Sequence, residues 1–223
     1  MTDLPLVLFD VNGTLSDMGR MTQHFEEIGV PPQLSAHWFA AVLRDGFALA
    51  LAGGNPPFVQ VAEDALRSVL VGQLLNRDLD DAVAHVLHAL RELPVHEDVP
   101  DGIRALAGAG FEIAALTNGS ASTAEGLLER AGVREQFSAV LSVEGAPRWK
   151  PAPESYAHAL QALGRDADDV VLVAAHPWDL HGAARVGFRT AWVDRAGSPY
   201  PDAPTPPDLR VTRLTDLVDA LAR

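Results

Sequence analysis

The run Leu4–Val11 is apolar except for Pro5 and Asp10, and it breaks into Asn12, Gly13 and Thr14. A short run that is apolar at successive positions, rather than at alternate ones, is a strand buried on both faces, which places it inside a parallel sheet. Phe111–Leu116 and Val170–Ala174 have the same character, and Ala139–Val143 and Thr190–Val193 are weaker versions of it. Amphipathic segments lie between them at Gly102–Ala109, Ser122–Ala131, Pro153–Leu163 and Leu180–Val186. Strands alternating with helices predict an α/β fold of Rossmann type, with an open parallel sheet covered on both faces. In such sheets the reacting groups gather at the carboxyl ends of the strands.

Residues 18–93 break the alternation and contain no convincing strand. Ser35 is placed to cap a helix running to Leu51, Ala52–Pro57 is a Gly/Pro break, and helices follow around Val59–Leu70 and Asp78–Leu90. The expected organisation is a core of residues 1–17 and 94–223 with a helical cap, residues 18–93, inserted after the first strand. A chain of 223 residues is long enough for one core and a small accessory unit of this kind. Ala196–Pro207, rich in Pro, Gly and Ser, reads as a surface loop before a last short strand and helix.

Composition removes several function classes. There is no cysteine, so disulfides, thiolate metal sites and cysteine nucleophiles are excluded. The formal net charge of −13 argues against a nucleic-acid partner, which needs a basic face. No apolar stretch is long enough to span a bilayer and the first residues lack a basic leader, so the expected location is cytoplasmic. An anionic ligand would need a locally positive site within this acidic surface.

Four places carry chemistry. Asp10 leaves the first strand into Val11-Asn12-Gly13-Thr14, where its carboxylate is exposed and the following amides can hold an anion. Leu116-Thr117-Asn118-Gly119-Ser120 ends the second strand with a hydroxyl and an amide ahead of a helix start. Lys150 stands before Pro151-Ala152-Pro153-Glu154-Ser155-Tyr156, where the prolines open a helix and hold the lysine near the sheet edge. Ala174-Ala175-His176-Pro177-Trp178-Asp179 follows a further strand, and brings a carboxylate and an imidazole able to move protons near neutrality. Each has a plainer reading on its own. Asp10, Asn118 and Ser120 are good helix or turn caps, a lone lysine is usually solvated, and a histidine is often packed and satisfied.

The order of these motifs, with the helical insert between the first two, resembles the haloacid dehalogenase superfamily over nearly the whole chain. The Leu116–Ser120 and Lys150–Tyr156 stretches and the Trp178-Asp179 pair are most similar to its type II group, the L-2-haloacid dehalogenases. The resemblance implies a hydrolase in which Asp10 attacks the substituted carbon, expels halide and forms an ester that water then cleaves. It further implies that Lys150 keeps Asp10 ionised and that Thr14 stays beside it. Val11, Asn12, Thr117 and Asn118 would then surround the substrate, with Thr117 and Asn118 taking its carboxylate. Asp179 and His176 would position or activate water, and Tyr156 would bond Lys150 or Asp179 or simply pack. Trp38, Phe39, Phe47 and Trp178 are candidate apolar walls. The implied substrate is a small 2-halo acid, with no cofactor and no metal, and relatives often form homodimers.

Two positions depart from the family pattern. Members carry an arginine just after a tryptophan in the cap's first long helix, to help take the halide; here Phe39 follows Trp38, and Arg44 replaces that arginine only if it faces the site. Ser-Ser-Asn is common in the fourth motif, where this chain has Ala174-Ala175-His176; His176 is a candidate to compensate or to bond a leaving group such as fluoride. Asn12 stands where the superfamily's phosphatases carry their general acid, and Ala175 where they carry an acidic magnesium ligand. Both departures favour metal-free alkyl substitution over phosphoryl transfer. The alternatives are a magnesium-dependent phosphatase of small esters and a non-catalytic binding protein on the same fold.

Overall fold

The computed structural model describes residues 4–222. Its sheet contains β1 (Leu6–Phe9), β2 (Ile113–Thr117), β3 (Ala139–Ser142), β4 (Val170–Ala174), β5 (Arg189–Val193) and β6 (Leu209–Val211). The strands are parallel throughout and run in the order β3-β2-β1-β4-β5-β6. β1 therefore lies between β2 and β4, where the strand order reverses and a crevice opens at the carboxyl ends.

β1, β2 and β4 are buried on both faces, as their unbroken apolar sequences require. Alternate residues feed two cores. Val7, Phe9, Ile113, Ala115, Val171 and Val173 meet α5 (Val99–Gly108), α6 (Ala121–Arg130) and α9 (Leu217–Leu221) on one side. Leu6, Leu8, Ala114, Leu116, Leu172 and Ala174 belong to the second core, with α7 (Pro153–Leu163) and α8 (Pro177–Arg185). That second core continues without interruption into the cap.

The insert is all helical: α1 (Met21–Glu27), α2 (Leu34–Leu51), α3 (Phe58–Leu70) and α4 (Leu79–Arg91). Its outgoing and returning segments run side by side. Ser16 bridges Val95, Asp17 N donates to Pro94 O at 2.9 Å, and His96 N donates to Leu15 O at 2.9 Å.

Local sequence explains most boundaries. Pro153 opens α7 and Gly164, at φ 63°, closes it in the left-handed conformation that glycine tolerates. Ser120 caps α6 by accepting from Thr123 N at 3.2 Å. Three expectations need correction. α5 starts at Val99 rather than Gly102, with Pro100 in its first turn. Ser35 is not the cap of α2: it lies within the first turn, and its hydroxyl donates to Pro32 O at 2.7 Å. α8 starts at Pro177 rather than Leu180, because proline suits a first helical turn, and so Asp179 sits at the positive end of a helix. No helix among the described residues is long and apolar enough to cross a membrane.

Candidate active site

Lys150 organises the site. Its ammonium donates to Asp10 Oδ1 at 2.8 Å, Asp179 Oδ2 at 2.6 Å and Leu116 O at 2.9 Å. These three bonds use all three of its protons. The side chain has no exposure, and Asp179 has none either. The lysine reaches this point because its backbone is held: Asn118 Oδ1 accepts from Lys150 N at 2.9 Å, and Asn118 Nδ2 donates to Lys150 O at 3.2 Å.

Asp10 opens towards the cap. Its second oxygen, Oδ2, accepts from Thr14 Oγ1 at 2.6 Å, and that hydroxyl accepts from Ala175 N at 2.9 Å. His176 Nε2 lies 3.9 Å from the same oxygen and 2.8 Å from Asn12 O. Gly13, at φ 78°, permits the turn, and a Cβ there would come within 3.0 Å of His176 Nε2. Tyr156 donates to Asp179 Oδ1 at 2.6 Å and to Asp179 O at 3.0 Å, so both oxygens of Asp179 are engaged.

The electrostatics follow from these contacts. Burial opposes charge on Asp10, but Lys150, His176 and Thr14 outweigh it, and the carboxyl lies below its ordinary value of 3.8. Asp179 goes the other way. Burial pushes it up, the neighbouring Asp10 charge adds to that, and Lys150 and Tyr156 offset only part. Lys150 is desolvated, yet the two carboxylates together hold it above its ordinary value of 10.5. Burial and the Asp179 charge keep the Tyr156 phenol well above 10.0, hence protonated.

Asp10 faces a small pocket lined by Asn12, Phe39, Leu43, Phe58, Asn118, His176 and Trp178. His176 stacks on Trp178, with centroids 5.3 Å apart and planes at 15°, and Phe39 lies 6.2 Å from it. Ten of the side chains singled out in the sequence fall into two groups. Asp10, Asn12, Asn118, Phe39, His176 and Trp178 meet at the pocket, while Lys150, Thr14, Asp179 and Tyr156 form the buried network beneath it.

Four residues lie elsewhere. Val11 packs into the core, and its carbonyl accepts the turn amides of Thr14, Leu15 and Ser16. The Thr117 hydroxyl accepts from Gly119 N at 2.9 Å and shapes the turn. Trp38 is fully buried among the cap helices, its indole donating to Ala62 O at 2.8 Å. Arg44 points to solvent, with a side chain 69% exposed and a two-point pairing to Asp45 at 2.7 and 2.9 Å. It is no substitute for a halide-binding arginine, because the next residue in its own helix satisfies it.

Sequence reasoning missed several participants. Leu43 and Phe58 wall the pocket, and both carried only the generic signal of apolar helix positions. Arg195 holds the Asp98 carboxylate at 2.6 and 2.8 Å and donates to Thr14 O at 3.0 Å, so it props the turn that carries Thr14. No motif marks an arginine in a loop 181 residues from its partner.

The profile of the haloacid dehalogenase-like hydrolases matches residues 4–187. The chain belongs to that family. It is 33% identical over 216 residues to an (S)-2-haloacid dehalogenase of Pseudomonas sp. (strain YL), covering 96% of this chain and 92% of the relative. A haloacetate dehalogenase of Moraxella sp. (strain B) is 28% identical, with both chains covered completely. Among solved structures, the L-2-haloacid dehalogenase from Xanthobacter autotrophicus with chloropropionic acid covalently bound superposes with a TM-score of 0.88 at 25% identity, covering 99% of each chain. This haloacid dehalogenase-like hydrolase has its Asp10, Lys150 and Asp179 linked in one buried network under the cap.

Proposed function

We propose that this hydrolase is a metal-independent dehalogenase of small 2-halo acids, with Asp10 as the nucleophile. The observation that carries the reading is the state of Asp10: an ionised carboxylate, locked from below by Lys150, at the floor of a small and largely apolar pocket. In the first step an Asp10 oxygen forms a bond to the halogen-bearing carbon, and the halide leaves with the bonding electron pair. Water then adds to the ester carbonyl of Asp10. Collapse releases the 2-hydroxy acid, and the water's proton goes to the medium or to a pocket base. The low-dielectric setting strengthens Lys150's hold on Asp10 whenever the carboxylate is free.

The geometry favours a divided labour for the remaining groups. Asp179, with both oxygens engaged and no exposure, acts on Lys150 rather than on water. His176 is the titratable side chain that lines the pocket beside Asp10, and it is placed to meet the attacking water or the departing halide. The apolar lining by Phe39, Leu43, Phe58 and Trp178 suits the short alkyl chain of a small acid. Asn12 and Ala175 supply no carboxylate where a magnesium site would need one, which sets the site against a hard cation.

The test is halide release from a panel of 2-halo acids, fluoroacetate included, in the presence of EDTA. Release is expected from the wild-type protein with EDTA present, and none from Asp10→Ala. Turnover of phosphate esters that needs added magnesium, without halide release, would sink the proposal.

A further inference from the structure

The cap carries a second cluster that the dehalogenation chemistry does not use. His24 and Glu27 lie on α1, three residues apart and therefore on one face, and His85 comes from α4. His24 Nδ1 is 3.1 Å and His85 Nε2 is 2.9 Å from the same oxygen, Glu27 Oε2. The imidazole centroids are 5.5 Å apart. Among the described residues, no other trio of His, Asp or Glu brings its ligand atoms within 4.8 Å of one another.

We propose that His24, Glu27 and His85 form a site for a borderline divalent transition metal of the zinc, cobalt or nickel type. Two imidazoles and one carboxylate are a donor set that suits these ions. Metal–ligand bonds of about 2.0–2.2 Å in a tetrahedron put neighbouring ligand atoms roughly 3.3–3.5 Å apart, so the observed spacings need open by only a few tenths of an ångström. The carboxylate is already oriented. Gln23 Nε2 holds its other oxygen, Oε1, at 2.9 Å, leaving Oε2 turned to the two imidazoles. Asn76 Nδ2 and Arg77 Nη2 fix the Glu27 carbonyl at 3.0 and 2.6 Å. All three side chains remain partly exposed, so an ion can reach them and water can complete the coordination. Without metal, each imidazole donates a proton to Oε2; on binding, those nitrogens give up their protons and neutral rings carry them on the opposite nitrogens. The ion would tie the first helix of the cap to the last, closing the insert near its connections to the core.

The experiment uses tag-free, EDTA-stripped and dialysed full-length protein, titrated with cobalt(II) and, separately, zinc. Expected are saturation at one equivalent, the visible absorption of tetrahedral cobalt, and a raised melting temperature. At a hundred times Kd the folded-to-unfolded ratio grows about a hundredfold, or roughly 5–10 °C for a chain of this size. His85→Ala and Glu27→Gln should abolish the spectrum and the shift, while His88→Ala, one turn along α4, should keep both. Absence of the spectrum and shift in the wild-type protein, or their persistence in His85→Ala, would overturn the proposal. Halide release measured on the same samples should not depend on the metal, so the outcome here is independent of the dehalogenase reading.

Discussion

Lys150 has no water to share its charge with, and its fate decides the site. Burial alone would drive its pKa down; two carboxylates at 2.6 and 2.8 Å drive it up, and the second effect wins. A lysine raised in the folded state stabilises the protein fully below its unfolded value, and that stability is lost as pH rises through the folded value. Lys150→Met leaves two buried carboxylates without their cation, and should cost about 3–5 kcal/mol in urea unfolding near neutrality. Once both carboxyls of the variant are ionised, the difference between wild type and variant should stay level up to pH 10.5 and shrink only above it. A difference that already shrinks below that pH would mean that burial, and not the ion pairs, controls the lysine. The same comparison cancels the titration of the many exposed groups, which both proteins share.

Gly46, in the middle of α2, shows how the cap is seated. The Trp149 ring lies against it, and a Cβ built there would fall 2.1 Å from a ring carbon. The ring has little room to retreat: its indole donates to Pro56 O at 2.9 Å, and Phe58 stacks on it at 5.5 Å. Beside it, Asn55 Nδ2 bonds Val143 O and Ala146 O at 3.0 and 2.7 Å. Alanine in an open helix interior is favoured over glycine by about 0.5–1 kcal/mol, whereas forcing an extra carbon into packed surroundings costs about 1–3 kcal/mol. Gly46→Ala is therefore expected to lower stability by about 1–2 kcal/mol in urea, and to raise KM as Phe39, Leu43 and Phe58 shift. A variant as stable as wild type would show that Trp149 does not clamp α2. This contact also marks where sequence reading stops. Strand ends were legible because a buried strand is apolar throughout and polar residues must emerge at its edge, which located Asp10, Asn118 and His176. The facing of α2 was not legible. Its apolar residues serve the cap interior at Trp38, the pocket at Phe39 and Leu43, and the core at Gly46 and Phe47, so hydrophobicity alone cannot say which neighbour each one meets.

Seen whole, the molecule carries a formal charge of −13, and its proposed substrate is an anion. The lysine in contact with Asp10 is spent, since Lys150 is matched by two carboxylates and leaves the trio with a net charge of −1. Arg44, the arginine expected to answer this, is paired with Asp45 at the surface. The next cation along the cleft is Arg91, which lines it with Asn12, Phe58 and Ser120, while the field of the whole surface works against approach. Salt screens the long-range part, with a Debye length of about 8 Å at physiological ionic strength, and leaves contacts inside the pocket nearly untouched. Raising ionic strength with a salt free of halide should therefore lower KM for a 2-halo acid by a factor on the order of a few, with kcat unchanged. An uncharged amide of the same acid, if turned over, should show no such response. A KM that rises with salt would locate a steering cation at the pocket mouth, and would mean that local charge, not the overall field, governs how the acid arrives.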